Sequence, residues 1–153
     1  LKELVLELNR RVMEITNGDK FITLFLTKYN LKTRKLNYIN AGHNPPIMFV
    51  NGETKLLESG TTILGAIEKL PFVNEGNLVL PKNTVIMTYT DGLTDLESED
   101  GEYFEMERLQ SFVEQFAHLK MSDFNEQLLQ NIKAFKGEQE YTDDVSVLSY
   151  RIF

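Results

Sequence analysis

The first fifteen residues, LKELVLELNRRVMEI, place Leu1, Leu4, Leu8, Val12 and Ile15 at helical spacing. Asn17-Gly18-Asp19 then supplies a stop signal. In FITLFLTKY (21–29) the apolar residues alternate. Ile22, Leu24 and Leu26 point one way, and Phe21, Phe25 and Tyr29 the other, which predicts a strand covered on both faces. KLNYINA (35–41) is its predicted hairpin partner. IMFV-NG-ETKLL (47–57) predicts a hairpin closed by a type I′ turn at Asn51-Gly52. NLVLPKNTVIMTYT (77–90) reads as another, turning at Pro81-Lys82-Asn83. Two amphipathic helices follow. One carries Met106, Leu109, Phe112, Val113 and Phe116; the other carries Phe124, Leu128, Leu129, Ile132 and Phe135, with Ser122 as N-cap and Gly137 as terminator. VSVLSYRIF (145–153) closes the chain as a strand. Hairpins with a few amphipathic helices predict an α+β fold, sheet against helices. No repeat, low-complexity tract or linker interrupts residues 1–153, so a single domain is expected.

Composition narrows the function classes. At 153 residues the chain is long enough to bury a core. Its 42% hydrophobic and 25% charged content suits a soluble globule. A net charge of −7 argues against a protein that grips nucleic acid by its phosphates. No Lys/Arg run suits an anionic membrane, and no apolar stretch reaches the length of a span. There are no cysteines, which excludes disulfides, thiolate zinc sites and cysteine nucleophiles and makes the reducing cytoplasm the expected compartment. No signal peptide is visible. The chain starts Leu1-Lys2 without methionine, which predicts a fragment or a trimmed product.

Carboxylates are the candidate chemistry. Asp91 follows the greasy stretch TVIMTYT, and Asp143-Asp144 precedes the last strand. If those strands are antiparallel neighbours, Asp91 and Asp143 meet at one rim. Hard divalent cations take oxygen ligands, and magnesium or manganese retains waters beside a few carboxylates. Gly92 would let backbone pack closely there. The plainer alternative stays open: Asp-Gly and Asp-Asp pairs are common turn signals.

TYTDGLTDLESEDGEYFEMERL, with YINAGHNPPIMF before it and EYTDDVSVLSYRIF at the end, resembles the bacterial serine phosphatases of the PPM (PP2C-like) class, in the branch that includes SpoIIE and RsbU. The resemblance runs from about Phe21 to Phe153. It implies an antiparallel β-sandwich flanked by helices and two Mn2+ or Mg2+ ions that activate water against a phosphoserine or phosphothreonine monoester. Two such ions about 3.5–4 Å apart supply hydroxide near neutral pH and offset phosphoryl charge. By the same resemblance Asp91 and Asp143 are metal ligands, and Asp144 is a weaker candidate. Asp95 is an outer-shell candidate or a solvated turn carboxylate. Ser146 stands where Thr is usual. The family's first motif, Asp-x-x-Gly-His-Gly, with its metal-bridging aspartate, has no match here, and Asp19 does not replace it. The resemblance therefore implies the C-terminal part of a phosphatase domain, apparently without its N-terminal strands, inactive by itself, within an enzyme whose substrate is a phosphorylated protein such as an anti-sigma-factor antagonist. The alternative is a catalytically silent PP2C-like regulatory or binding module.

The remaining signals read as structural. His43, in NAGHNPP, is expected to hydrogen-bond a turn, with a catalytic acid as the alternative, and His118 to sit favourably near a helix end. The loop DLESEDGEYFE fails as an EF-hand: with Gly101 at the sixth place, the first ligand position is Leu96. No phosphate-cradling Gly-rich loop and no Gly-x-Ser-x-Gly elbow occur. Phe112, Phe116, Phe124 and Phe135 are expected in the core. If left uncovered, they would favour self-association, as in a homodimer.

Overall fold

The chain divides into two compact units in a computed structural model that describes residues 1–153. The first comprises Leu1–Pro45 and Leu57–Pro81, and the second Pro46–Leu56 and Lys82–Phe153.

In the first unit, β2 (Lys35–Ala41) is the shared strand. β1 (Leu24–Asn30) pairs antiparallel along it, from Leu24↔Ala41 to Asn30↔Lys35. On its other side β6 (Gly76–Val79) runs antiparallel, and the two-residue β5 (Gly60–Thr61) runs parallel. Helix α1 (Lys2–Thr16) shares a core with this sheet: Val5, Ile39, Ala41 and Leu64 are buried, flanked by Leu1, Leu8, Leu24 and Leu26. Asn17 ends the helix in the left-handed region, as the stop signal predicts.

Two details of this unit differ from the pattern. The expected α1 stripe is rotated: Leu4 and Ile15 are exposed, whereas Val5 and Asn9 are buried. Asn9 tolerates burial because its side chain is satisfied. Its Nδ2 donates to the Ile67 carbonyl (2.9 Å) and the Glu68 carbonyl (3.2 Å), and its Oδ1 accepts from Gly65 N (2.8 Å). The strand expected from residue 21 begins at Leu24, on the sheet edge. Phe21 and Ile22 are therefore exposed rather than covered.

In the second unit a four-stranded antiparallel sheet has the order β4-β3-β7-β8. β3 (Ile47–Val50) and β4 (Glu53–Leu56) form the expected hairpin, with Asn51 at φ 54° and Gly52 at φ 89° as a type I′ turn requires. β7 (Val85–Tyr89) pairs with β3 on one side and β8 (Val147–Arg151) on the other. Helix α3 (Glu105–Phe116) packs over β3 and β4, and α4 (Met121–Lys136) over β8. Phe112 and Phe124 meet edge-on at 5.1 Å, as do Phe104 and Phe135 at 5.0 Å. The aromatic stripe is core, as expected, although Leu129 points to solvent.

The predicted 77–90 hairpin does not form. β6 belongs to the first sheet and β7 to the second. Both edges of β7 are already taken by β3 and β8, so β6 has no place beside it. Ser122 is not the N-cap of α4 either. Lys120 holds that position, one helical residue precedes Ser122, and the serine hydroxyl donates to Asp123 instead. Gly137 ends α4 at φ 57°. Helices with largely antiparallel sheets give the α+β class that the pattern predicts.

Candidate metal-binding rim

The register of β7 and β8 brings together the two segments that carry the candidate aspartates. Tyr89 pairs with Val147, so β7 leaves the sheet where β8 enters it. Beyond that pair the ladder continues through Thr90. Its N–H donates to the Ser146 carbonyl (3.1 Å), its Oγ1 accepts from Ser146 N (2.9 Å), and the same hydroxyl donates to the Asp144 carbonyl (2.8 Å). The next residues lie closer still. A Cβ on Gly92 would stand 2.7 Å from the Asp144 carbonyl oxygen and 3.2 Å from the Asp143 carbonyl carbon. Only glycine permits that approach. Gly92 thus rests directly on the Asp143-Asp144 backbone.

Both readings of Asp91 have a structural counterpart. It opens a short helical turn, α2 (Asp91–Thr94), and its carbonyl accepts from Asp95 N (2.9 Å) and Thr94 Oγ1 (3.1 Å). Its side chain is exposed at the same rim. Asp91 Oδ1 accepts from Gly92 N (3.1 Å), and Asp143 Oδ1 from Asp144 N (2.7 Å). Each carboxylate is held by the amide that follows it. Asp144, Asp95 and Ser146 are also exposed; Ser146 meets Thr90 through its backbone alone.

Asp91, Asp143 and Asp144 fit a hard divalent cation in donor chemistry: they are exposed carboxylates on two segments in backbone contact. They fall short in number. Among the described residues no group of three or more His, Cys, Asp and Glu side chains comes together to hold a metal ion. Magnesium is commonly held by one or two carboxylates with waters completing the shell.

Other candidates resolve separately. In the first unit, Asn40 orders the Ala-Gly-His turn: its Oδ1 accepts from His43 N (2.8 Å) and its Nδ2 donates to the His43 carbonyl (2.9 Å). The His43 ring lies 3.3 Å from Thr23 Oγ1, with His43 Nδ1 as the partner atom. The turn is therefore held by the asparagine side chain, whereas the sequence pointed to the imidazole. His118 is exposed, just past the end of α3. The acidic loop is a small hairpin: Glu97 bridges Tyr103, and Phe104 N donates to the Leu96 carbonyl (2.9 Å). Thr90 and Asn40 are organising residues that sequence reasoning passed over. Thr90 alone had a local signal, as the hydroxyl residue directly before the Asp-Gly pair.

Comparison with known proteins gives the family. The family model for stage II sporulation protein E (SpoIIE) matches residues 1–153. The chain is 28% identical over 110 residues to the phosphoserine phosphatase RsbU of Bacillus subtilis (strain 168), covering 71% of this chain and 32% of RsbU. It is 33% identical over 97 residues to Protein IcfG of Synechocystis sp., covering 61% of this chain and 15% of that protein. The chain thus spans about a third or less of these curated relatives. Among solved structures it resembles the SiaA-PP2C domain of Pseudomonas aeruginosa, with a TM-score of 0.86, 18% identity, and coverage of 98% of this chain and 60% of that one. It also resembles the phosphatase domain of SpoIIE from Bacillus subtilis (Mn presoaked), with a TM-score of 0.67, 14% identity, and coverage of 99% and 66%. The fold is therefore PP2C-like, and the chain belongs to the SpoIIE family.

Proposed function

We propose that this chain is the C-terminal part of one PPM-type phosphatase domain, and that it works in a metal-dependent protein serine/threonine phosphatase. The observation that supports the reading is the contact of Gly92, the residue after Asp91, with the Asp143-Asp144 backbone. Asp91 and Asp143 would hold Mn2+ or Mg2+, with Asp144 as a further ligand. When bound, such ions make water a nucleophile near neutral pH and offset the charge on phosphoryl oxygens. The chain's own part is positional. Its carboxylates supply the anionic oxygens, Gly92 permits their approach, and Thr90 pins the two segments together.

The substrate class is a phosphoserine or phosphothreonine protein. An anti-sigma-factor antagonist in bacterial partner switching suits the similarity to RsbU, and one solved neighbour carries the RsbU and RsbW domains of Rv1364c from Mycobacterium tuberculosis. The cytoplasm is the proposed compartment. No helix is long and apolar enough to cross a membrane.

The test uses the native gene product with Mn2+ and a phosphoserine protein. Asp91→Asn keeps the shape of the side chain and removes its charge. Turnover is expected to fall by about 100-fold or more, with the far-ultraviolet circular dichroism unchanged. Equal turnover in variant and parent would remove Asp91 from the site. A second reading, a catalytically silent PP2C-like binding module, is favoured by the shortfall in acidic groups at the rim. It predicts no Mn2+-dependent hydrolysis by the native product. On either reading residues 1–153 alone bind Mn2+ weakly and turn over little or nothing, which titration calorimetry checks directly.

A further inference from the structure

Asp143 lies in a stretch with no regular structure, between the end of α4 at Lys136 and the start of β8 at Val147. Its downstream end is tied by Thr90 and Gly92. Its upstream end is tied as well. Glu99, in the acidic loop that follows Asp91, reaches across the sequence, and its Oε1 accepts from Glu138 N (2.8 Å). The same side chain lies on Gly137, where an added Cβ would stand 2.7 Å from Glu99 Cδ. Lys136 secures the turn from beneath. Its Nζ donates to the Gly137 carbonyl (3.0 Å) and to the Gln139 carbonyl, and it lies 5.3 Å from the centre of the Tyr141 ring.

The segment that carries Asp91 thus grips the segment that carries Asp143 twice: at the rim through Thr90, and behind it through Glu99. We infer that Glu99 is a positioning residue that sets the path of residues 137–142 and so the placement of Asp143 relative to Asp91. A loop fixed at one end only would sample many positions of Asp143, and an ion would have to offset that lost freedom on binding. The second tie lowers this cost before any ion arrives. The inference rests on the proposed function in one respect, that Asp91 and Asp143 hold the ion.

The experiment compares the native gene product with its Glu99→Ala and Glu99→Gln variants. Glu99→Gln keeps an oxygen acceptor for Glu138 N–H, and Glu99→Ala removes it. Mn2+ affinity is read by titration calorimetry, and amide exchange at residues 137–142 by mass spectrometry in the metal-free protein. For Glu99→Ala, about a three- to tenfold weaker Mn2+ affinity and faster exchange in that segment are expected, with Glu99→Gln close to the parent. A purely structural role would lower thermal stability and leave the Mn2+ affinity where it was; that result overturns the inference. If Glu99→Ala does not fold, Glu99→Asp applies the same test, because the shorter side chain withdraws the oxygen from Glu138 N–H. Unchanged Mn2+ affinity in a folded Glu99→Asp variant is equally fatal. If the parent binds Mn2+ but hydrolyses no phosphoserine, the phosphatase reading falls and the positioning role stands. If the parent binds no Mn2+, both fall.

Discussion

The hydroxyl of Thr90 donates to the carbonyl of Asp144 at 2.8 Å, joining residues 54 positions apart at the mouth of the β7–β8 pair. The same oxygen accepts from Ser146 N at 2.9 Å, so one side chain closes both segments of the rim.

Thr90→Val keeps the branched shape and strips away both bonds. Loss of about 1–2 kcal/mol of stability is expected, because the Ser146 amide loses its protein partner. Mn2+ affinity of the native product should drop by severalfold as well. Thr90→Ser retains the hydroxyl and should restore both. Urea denaturation and Mn2+ titration read the two effects, and a Thr90→Val protein that matches Thr90→Ser in both would show the hydroxyl to be idle.

Gly92→Ala is expected to be more damaging than a surface alanine elsewhere. Its methyl meets a main-chain oxygen, Asp144 O at 2.7 Å, and main chain yields less readily than the tip of a side chain. The Asp91 and Asp143 segments must part, at a cost of about 1–3 kcal/mol typical of overpacking. The thermal midpoint should fall and Mn2+ affinity should weaken together. An unchanged midpoint would mean that the two segments are not in contact.

In the first unit, Asn9→Leu replaces a buried amide that makes three bonds. The leucine leaves the Gly65 N–H and the Ile67 and Glu68 carbonyls without that partner. A loss of about 2–4 kcal/mol is expected, despite the gain in apolar surface. The urea midpoint measures it. A stabilised variant would show that Asn9 is buried by accident of packing.

Alkaline stability should report on Tyr89. Burial of its ring pushes the phenol up to about 12, against an ordinary value near 10. Below pH ~10 the phenol is protonated in both states and its contribution is fully present. Between about pH 10 and 12 the folded chain holds a proton that the unfolded chain has released, so stability falls as pH rises, by up to about 1.4 kcal/mol per pH unit for this residue. Tyr89→Phe should flatten that decline. A smaller slope remains from Tyr150, which burial shifts in the same direction. At neutral pH the variant forfeits the hydroxyl's contact with Met106 Sδ (3.1 Å), worth about 1 kcal/mol or less. Identical alkaline melting curves for parent and variant would rule out Tyr89 as the source.

What local chemistry controls was legible in the residues. Asn51-Gly52 forms its turn because left-handed backbone suits those two residue types wherever they occur. Gly137 stops α4 for a similar reason, and the Phe112 and Phe124 stripes face the core because helical spacing puts them on one side. The Asp-Gly and Asp-Asp pairs marked the candidate rim by residue type, and the family resemblance named their chemistry. Strand partnership was not legible in this way. The 77–90 stretch has a turn and two apolar runs, yet its strands join different sheets, because each pairs where distant residues offer a free edge. Burial of Asn9 likewise depends on carbonyls 58 and 59 residues away. The contact between the Asp91-Gly92 and Asp143-Asp144 segments required the β7–β8 register and the bare Cα of Gly92. Periodicity and turn preference act over a few residues, whereas the choice of neighbours is made by the whole chain as it buries its apolar surface, and only the folded chain brings the backbones of the Asp91-Gly92 and Asp143-Asp144 segments into contact.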